Sequence, residues 1–549
     1  MPLQKNQVLT LRVERLSSDG SGVAHSPDGE TVFIPGAAPG DEARVRIVKD
    51  CKRYAFGILD EVLTPSPDRI PVDCAVAGPC GGCSLRHLDY AAELRAKQEN
   101  VADAFARIGG LDVPVLPIVG SPEVNRYRNK VQFPVGVDKS GKPCIGFYAG
   151  RTHRIVPCPD CRLQPGVLNE IGNALCAFFA EKGIQPYSEE TGRGLVRHIF
   201  LRRGAHSGQI MVCLVCTRSN LPSAEELCTR LKAQFAEITT ILLNVNAKNT
   251  NVILGTETHT LYGPGYIEDT LCGVPVQLGP LSFYQVNTLA AEQLYGIAAQ
   301  YAQLTPDDLL LDLYCGMGTI GLSMAAHCRE LIGVEIVPEA IESAKANAAR
   351  MGADVAAKSR FFCADAGQAA TRLAAEGLHP DIVMLDPPRK GCDEATLSAV
   401  VRMSPRRVVY VSCNPATAAR DAAWLEQNGY HAEKVQPVDL FPRTRHCECV
   451  IALSKGEIDS KKVRVEFSLE GMDTSGLQKG ATYPEIKARV LEQTGLKVSS
   501  LYISQVKQKC GLEVRENHHK AKSENTKQPQ CPKEKEDAIV EALKHFQMI

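Results

Sequence analysis

From about residue 306 onwards, short apolar runs alternate with alanine-rich segments of helical pattern. The apolar runs are DLLLDLYCGMG, ELIGVEIV, SRFFCAD, DIVMLDPPR and RVVYVSCNP. Each is long enough for one buried strand and is followed by glycine, proline or a polar residue, which ends it. Regular alternation of buried strands with helices predicts a parallel, doubly wound α/β sheet in this part of the chain.

The first 63 residues show a different pattern. Short runs of β type, QVLTLRVERL, GETVFIPG and DEARVRIVKDCKRYAFGILDEVL, are separated by Gly, Pro and Asp turns. This pattern predicts a small antiparallel barrel. Lys49, Lys52 and Arg53 lie beside the aromatic ring of Tyr54, a combination that suits RNA. The same residues also fit an ordinary solvated strand.

Three further segments follow from the pattern. The proline-rich TPSPDRIP predicts a linker, and a helix is expected over about residues 90–108. Residues 124–270 mix strand and helix patterns and contain two basic segments, RYRNKVQF and GLVRHIFLRRG. After Ser454 the alternation stops, and residues 461–549 form a mildly basic, helix-turn-helix-like appendage.

Composition narrows the class of protein. The 549 residues are 44% hydrophobic and 23% charged with a net charge of −1, which excludes a uniformly cationic nucleic-acid binder. The N-terminus lacks the apolar run of a signal peptide, and no uncharged apolar stretch is long enough to span a membrane. We therefore expect a cytoplasmic protein that makes no membrane contact. Its 21 cysteines are then expected to be metal ligands, core residues or catalytic groups rather than disulfides.

The segment LLLDLYCGMGTIGL reads as a strand, a glycine-rich turn and the start of a helix. Glycines allow a tight turn and close approach of a ligand to the backbone. Glu335, 17 residues after Gly318, ends the next strand and can accept hydrogen bonds from ribose hydroxyls. Because the full dinucleotide motif is missing, the pattern favours S-adenosylmethionine. Ligands bind at the carboxyl ends of such strands, so one crevice should collect the residues there: Asp312 to Gly318, Glu335, Asp365, Asp386 and Cys413.

Five ordered motifs make the sequence recognisable. SFYQVN (282–287), DLYCGMG (312–318), DPPRKG (386–391), VSCNPATAARD (411–421) and LFPRTRHCE (440–448) together resemble the RNA uracil-C5 methyltransferases. The resemblance implies a class I, Rossmann-like methyltransferase domain over residues 271–456. It also implies a TRAM-like, OB-like barrel over residues 1–63 and an α+β central domain over residues 64–270. The helical appendage over residues 461–549 lies outside the resemblance.

The resemblance implies roles for single residues. Cys413 would add to C6 of uracil as the nucleophile, and Glu448 would be the general base. The cofactor S-adenosylmethionine would be bound by Gln285, Tyr314, Thr319, Glu335, Asp365 and Asp386. Thr319 departs from the Asn that is frequent in related enzymes, and Cys447 replaces a more usual aliphatic residue.

Two further features of the chemistry, the activation of the thiol and the stacking of the base, each allow alternatives. An ordinary thiol has a pKa of about 8.5, so a nearby cation would help Cys413; Arg443, Arg445 and His446 are candidates by proximity in sequence. A flipped or unpaired uridine would need a stacking surface, which Phe283 or Tyr284 could provide unless they are core residues.

A cysteine cluster precedes the catalytic region. The resemblance implies a [4Fe-4S] cluster on Cys74, Cys80, Cys83 and Cys161. A structural zinc ion on the two CxxC pairs Cys80/Cys83 and Cys158/Cys161 is the alternative. In either case the role is expected to be architectural, because uracil methylation needs no electrons.

The expected substrate is RNA, with 23S ribosomal RNA preferred, since the barrel and cysteine cluster resemble those of the ribosomal-RNA branch. Transfer RNA is the alternative substrate. A catalytically silent RNA-binding or ribosome assembly factor is the alternative of another class, and cytosine-C5 methylation is a further rival. We expect a monomer. The sequence does not identify the uridine that would be modified.

Overall fold

The computed structural model describes residues 3–150, 152–248, 250–456, 483–496, 498–510 and 531–546. The chain divides into two compact units, Met1–Asp459 and Ser460–Ile549. The expected domain boundaries at residues 63, 270 and 456 divide the first unit further and remain predictions.

A closed five-stranded barrel opens the chain. Its strands follow the order β1-β2-β3-β5-β4, with β3 and β5 parallel and the other pairs antiparallel. Buried and exposed residues alternate along β1 and β4, because one face of each strand fills the barrel. The strands are β1 (Val8–Leu16), β2 (Ser21–His25), β3 (Thr31–Pro35), β4 (Glu42–Asp50) and β5 (Tyr54–Thr64). The predicted OB-like barrel is therefore confirmed.

Tyr54 lies on the outside of this barrel and is 40% exposed. Its ring makes edge-to-face contacts with Phe33, at 5.7 Å between ring centroids, and with Phe56, at 5.6 Å. The aromatic ring named in the sequence is thus accessible, and its use by RNA remains a prediction.

Helices α1 (Ala77–Cys80) and α2 (Tyr90–Asp103) follow the linker, and α2 continues into a π-helical turn at Ala104–Gly109. A seven-stranded sheet comes next, in the order β12-β11-β10-β9-β6-β7-β8. Its apolar core includes Phe133, Phe179 and Leu243. The elements are β6 (Lys130–Val137), β7 (Pro143–Tyr148), β8 (Ile155–Pro157), α3 (Gly166–Glu181), β9 (Val196–Arg203), β10 (Ile210–Cys216), α4 (Ala224–Gln234), β11 (Ile238–Val245) and β12 (Glu257–Tyr262).

The hairpin β13 (Ile267–Leu271) and β14 (Val274–Leu278) leads to helix α5 (Thr288–Ala302) and a second seven-stranded sheet. The strand order is β17-β16-β15-β18-β19-β21-β20. Its strands are β15 (Leu309–Leu313), β16 (Glu330–Glu335), β17 (Ser359–Cys363), β18 (Ile382–Leu385), β19 (Arg407–Ser412), β20 (Tyr430–Val438) and β21 (Glu448–Lys455). The helices between them are α6 (Thr319–Met324), extended by a 3-10 turn at Ala325–His327, α7 (Pro338–Met351), α8 (Ala353–Lys358), α9 (Ala366–Ala375), α10 (Glu394–Met403) and α11 (Pro415–Gln427).

The first five strands in this order are parallel, which confirms the predicted doubly wound α/β fold. Successive residues of β15 alternate between two apolar clusters, Leu310 facing one and Leu311 the other, because helices cover both faces. Strands β20 and β21 are antiparallel and extend the edge beyond β19. The chain runs outwards in opposite directions from β15 and β18, so a ligand crevice is expected at their carboxyl ends.

The second compact unit contains helices α12 (Tyr483–Thr494), α13 (Ser500–Lys509) and α14 (Lys533–His545). Ile486, Ile503 and Ile539 contribute to one shared apolar core. The rest of the predicted appendage, including residues 461–482 and 511–530, lies outside the described residues. In the described part of the chain, no helix combines the length and the apolar character that crossing a bilayer requires.

Candidate active site

A cavity of about 1430 Å³ lies at the carboxyl ends of β15, β16, β18 and β19. Residues 279–286, Phe441, His446 and Glu448 also line this cavity. The structure brings all eight of the predicted catalytic and cofactor residues to this cavity: Gln285, Tyr314, Thr319, Glu335, Asp365, Asp386, Cys413 and Glu448.

The glycine-rich turn forms one wall. Gly316 and Gly318 have φ angles of +55° and +79°, a region that favours glycine. A Cβ placed on Gly316 would meet no protein atom within 4 Å, so the backbone here borders open space. The Gly316 N–H donates to Glu335 Oε2 at 3.2 Å, and Glu335 Oε1 accepts from the N–H groups of Ile336 and Val337. These bonds fix the carboxylate at the end of β16.

Asp312 does not take part in the cavity wall, contrary to the expectation that residues 312–318 all face the crevice. Its side chain is 1% exposed, and its Oδ2 accepts a hydrogen bond from the Gly321 N–H at 3.0 Å. Burial raises its pKa to about 8. Asp312 therefore anchors the start of α6, and the wall begins at Tyr314.

Three further cofactor candidates, Thr319, Tyr314 and Asp365, make hydrogen bonds to helices beside the cavity. The Thr319 hydroxyl lies 3.4 Å from the Tyr295 hydroxyl, and the Tyr314 hydroxyl lies 3.4 Å from Thr396 Oγ1. Asp365 caps α9 by accepting from the Gln368 N–H at 3.1 Å. A glycine backbone open to the cavity and a fixed carboxylate at the end of the second strand are features that suit an adenosyl ligand.

Cys413 and Glu448 lie at neighbouring ends of two antiparallel strands. The last pair in the β19/β21 ladder joins Ser412 to Cys449, and Cys413 and Glu448 occupy the next positions. Asn414, which caps α11, follows Cys413 immediately and ends the strand. The thiol is half-buried, whereas Glu448 is 5% exposed. The sequence thus places a nucleophile and a carboxyl side by side at the cavity.

Burial dominates the electrostatics of this pair. It raises the pKa of Glu448 to about 8 and that of Asp386 to about 7. Burial, followed by the carboxyls of Glu448 and Asp386, also raises the pKa of the Cys413 thiol. Like charges close together in a poorly solvated site cannot all ionise easily, so an ionised Glu448 or Asp386 disfavours the Cys413 thiolate.

Arg389 supplies positive charge next to Cys413. Its guanidinium opposes the rise in the pKa of both Cys413 and Glu448. The backbone carbonyl of Arg389 accepts hydrogen bonds from Asn414 Nδ2 at 3.0 Å and from Thr417 Oγ1 at 3.3 Å. Helix α11 therefore holds the DPPRKG turn against the nucleophile.

The cations that sequence proximity favoured do not perform this role. Arg443 is buried, with its Nη1 donating to the Leu88 carbonyl at 2.7 Å, and Arg445 is exposed. His446 lines the cavity, but burial and the charges of Arg389 and Arg445 lower its pKa to about 4, so it is neutral near pH 7. The cations that lie near Glu448 in sequence are therefore not the ones that act on Cys413, because Arg389 reaches the thiol from the turn after β18.

A buried polar network anchors the segment that leads to Glu448. Lys97 Nζ, on α2, donates to Glu93 Oε1 at 2.8 Å, to Asp439 Oδ1 at 2.7 Å and to the Phe441 carbonyl at 3.2 Å. Glu93 Oε1 also accepts from the Arg443 N–H at 2.7 Å. Lys97 and Asp439 are 342 residues apart, so no local signal in the sequence indicated this contact.

The two aromatic candidates for stacking differ in position. Phe283 is 70% exposed and lines the cavity. Tyr284 is 3% exposed, and its hydroxyl donates to Asp269 Oδ2 at 3.0 Å, which makes it a core residue. Only Phe283 of this pair is therefore available to a base.

The cysteine-rich segments approach each other. The charge of Cys80 is coupled to those of Cys74, Cys83 and Cys161. The neighbouring Cys158 lowers the pKa of the Cys161 thiol. Within the described residues, however, no three His, Cys, Asp or Glu side chains are arranged to hold a metal ion. The donors have the chemistry that iron–sulfur clusters use, and both metal assignments remain predictions.

Comparison with known proteins gives two family matches. Residues 207–456 match the family described as tRNA (uracil-5-)-methyltransferase, and residues 2–59 match the TRAM domain. A protein of Halalkalibacterium halodurans named an uncharacterized RNA methyltransferase is 43% identical over 453 residues, which cover 82% of this chain and 98% of that protein. A protein of the same name from Oceanobacillus iheyensis is 41% identical, with 82% and 98% covered.

A solved structure is also similar. It is that of the Pyrococcus abyssi tRNA (uracil-54, C5)-methyltransferase in complex with S-adenosyl-L-homocysteine. The TM-score is 0.65 at 27% sequence identity, and the match covers 81% of this chain and 100% of that one. The similarity therefore extends over the full length of that structure.

Proposed function

Because the chain belongs to the RNA uracil-C5 methyltransferase family, we propose that it methylates C5 of uridine in 23S ribosomal RNA, with Cys413 as nucleophile and Glu448 as general base. The family that the sequence motifs indicated is confirmed. So is the class of enzyme: the chain is an S-adenosylmethionine-dependent RNA methyltransferase with a class I methyltransferase fold.

One observation carries the proposal for the chemistry. Cys413 and Glu448 lie at adjacent ladder positions and line the same cavity as the glycine turn and Glu335. A nucleophile and a proton acceptor beside a candidate methyl-donor site are the groups that C5 methylation requires. An RNA-binding factor without catalytic activity would not need a nucleophile, a proton acceptor and a methyl-donor site in the same cavity.

Covalent addition activates the pyrimidine. After the Cys413 thiol releases its proton to solvent, its sulfur forms a bond with C6 of uracil. The electron pair of the C5–C6 double bond moves into the ring, so that an enolate forms with charge on O4 and C5. Arg389 favours this step because its positive charge stabilises the thiolate.

S-adenosylmethionine, when bound, supplies an electrophilic methyl group on a sulfonium sulfur. The six candidate residues for holding it line the same cavity as Cys413. Among them, Glu335 is proposed to accept hydrogen bonds from the ribose hydroxyls. Once C5 carries the methyl group, Glu448 takes the remaining C5 proton. The C–H electron pair re-forms the C5–C6 double bond, the C6–sulfur bond breaks, and Cys413 leaves as a thiolate. A base with a pKa of about 8 is well matched to this transfer near neutral pH.

The target base must leave its stack to reach this cavity. Phe283 is proposed as the stacking surface, since it is the exposed member of the pair. The barrel and its exposed Tyr54 are proposed to contact RNA outside the cavity.

Transfer RNA is the second candidate substrate. The Pyrococcus abyssi enzyme acts on tRNA and is matched over its whole length, so the shared architecture does not by itself favour ribosomal RNA. Nucleoside analysis of both RNA classes from cells with and without this protein decides between them. Loss of 5-methyluridine from 23S RNA alone supports the proposal; loss from tRNA alone supports the second candidate, and loss of 5-methylcytidine instead contradicts both.

A [4Fe-4S] cluster on Cys74, Cys80, Cys83 and Cys161 is proposed as an architectural group. Support comes from Cys80, whose thiol lies within electrostatic range of Cys74, Cys83 and Cys161. Iron and sulfide analysis of anaerobically purified protein, with its visible absorption spectrum, tests this. Four irons per chain are expected, whereas zinc in a colourless protein would favour the alternative with Cys158.

A further inference from the structure

Two neighbouring positive charges lie on the first seven-stranded sheet, the one that contains β6 to β12. Lys130 and Arg202 are directly paired positions on the antiparallel strands β6 and β9. Side chains at paired positions project from the same face, and like charges placed there repel each other. Among the described residues, no carboxylate forms an ion pair with either side chain. Burial, followed by the charges of Arg202 and Arg128, lowers the pKa of Lys130 to about 8.

The two cations differ in what they contact. Arg202 is 1% exposed, and its Nη1 and Nη2 donate to the carbonyls of Gly279 and Ser282, each at 2.7 Å. It therefore has a structural role in holding the 279–282 loop. No hydrogen bond joins the Lys130 ammonium to any group in the part of the chain that the structure describes, although the side chain is half-buried. A half-buried ammonium without a partner is costly, and a ligand anion would offset that cost.

Lys130 faces the same cavity as Cys413. Phe283 lines the same cavity, and so do Thr258 and Thr260, which are exposed residues of β12 and lie farther along the sheet, beyond β9, β10 and β11. The cavity volume of about 1430 Å³ exceeds the roughly 300–1,000 Å³ of ordinary ligand pockets. The space at Lys130 is therefore available in addition to the space for a methyl donor and one base.

We propose that Lys130 binds a phosphodiester of the single-stranded RNA segment that carries the target uridine. The inference rests on the proposed function, since it takes RNA as the occupant of the cavity. RNA presents one phosphate per nucleotide, and a lysine on a flexible stem contacts phosphate as a point charge. The carboxylate of the methyl donor is the other anion that reaches this cavity, and the test separates the two.

The test compares Lys130→Gln, Lys130→Arg and Lys139→Gln. Lys139 is an exposed residue of the same domain, so Lys139→Gln makes the same charge change away from the cavity. Each variant is made with Cys413→Ala, and binding of a fluorescein-labelled decauridylate is measured by anisotropy without methyl donor at several salt concentrations. Because no covalent step or methylation is involved, the result is independent of which base the enzyme modifies.

We expect Lys130→Gln to weaken decauridylate binding about three- to tenfold near 50 mM salt and to reduce the slope of log K against log salt by about 1. Lys130→Arg should restore both quantities, and Lys139→Gln should change neither. Affinity for S-adenosylhomocysteine, measured by calorimetry, should be the same in all variants. Equal effects of Lys130→Gln and Lys139→Gln would overturn the proposal, as would a loss confined to S-adenosylhomocysteine.

Thermal unfolding tests whether a loss of binding results from a loss of folded structure. Because Lys130 is opposed by Arg202, Lys130→Gln should leave Tm unchanged or raise it, which separates lost binding from lost structure. A lowered Tm together with lost binding that Lys130→Arg does not restore would assign Lys130 to the fold and would also overturn the proposal.

Discussion

Lys97 Nζ lies 2.7 Å from Asp439 Oδ1, and both side chains are shielded from solvent, at 1% and 0% exposure. The contact joins the helix after the cysteine-rich segment to the segment that carries Glu448. Replacing Lys97 with Met should destabilise the protein by about 3–5 kcal/mol, because the carboxyls of Glu93 and Asp439 lose their buried cation. Chemical denaturation measures this.

Arg95 on the same helix offers a matched control. Its ion pair with Asp68 is exposed, at 57% and 36%, so Arg95→Met should cost less than about 1 kcal/mol. Similar losses in the two variants would show that the buried network has no special role.

Arg389→Gln should shift the reactivity of Cys413 to higher pH. The guanidinium favours the thiolate, and its removal leaves burial and two nearby carboxyls to raise the pKa further. The pH profile of Cys413 alkylation, read by peptide mass spectrometry, should move in the alkaline direction. Lys390→Gln, at the next position, is the control; an unshifted profile in Arg389→Gln would exclude the assigned role.

Glu335→Ala should weaken S-adenosylhomocysteine binding tenfold or more, the effect expected for losing hydrogen bonds to a charged acceptor. Calorimetry tests this directly. Glu342→Ala, which changes an exposed carboxylate on α7, should leave the affinity unaltered. Wild-type affinity in Glu335→Ala would place the donor elsewhere in the cavity.

Stability should fall as pH rises from about 5 to 8. Burial raises the pKa of Asp312, Asp386 and Glu448 in the folded state to about 8, 7 and 8, while unfolded carboxyls lose their protons near 4. Between those limits the folded state holds more protons than the unfolded one, so raising the pH favours unfolding. Tm across this range should decline less steeply in Asp312→Asn; an identical slope would refute the account for Asp312.

Much of the site could be predicted because its residues follow apolar runs that the sequence identifies as strands. The apolar runs before Glu335, Asp386 and Cys413 predicted strands, and parallel strands necessarily collect their ends at one edge. The motifs then supplied Gln285 and Glu448, and the structure places them at the same cavity.

The features that could not be predicted from the sequence depend on contacts between residues that are far apart in the chain. Arg389 reaches Cys413 from the turn after β18, whereas the local candidates Arg443 and His446 lie in a buried or neutral setting. Residues 124–270 were expected to contain both strands and helices, but the sequence did not predict how the strands pair. In the structure, β6 pairs with β9 within one seven-stranded sheet. Neither pairing leaves a periodic signal in one segment.

The central claim is that Cys413 bonds to the pyrimidine and that Glu448 releases it. Intact-complex mass spectrometry of Glu448→Gln, incubated with S-adenosylmethionine and the RNA that the wild-type enzyme methylates, tests this most directly. We expect a covalent protein–RNA species carrying one added methyl group, and no such species when Cys413 is also changed to Ala. Prompt release of methylated RNA by Glu448→Gln, or an adduct that survives the loss of Cys413, would contradict the mechanism.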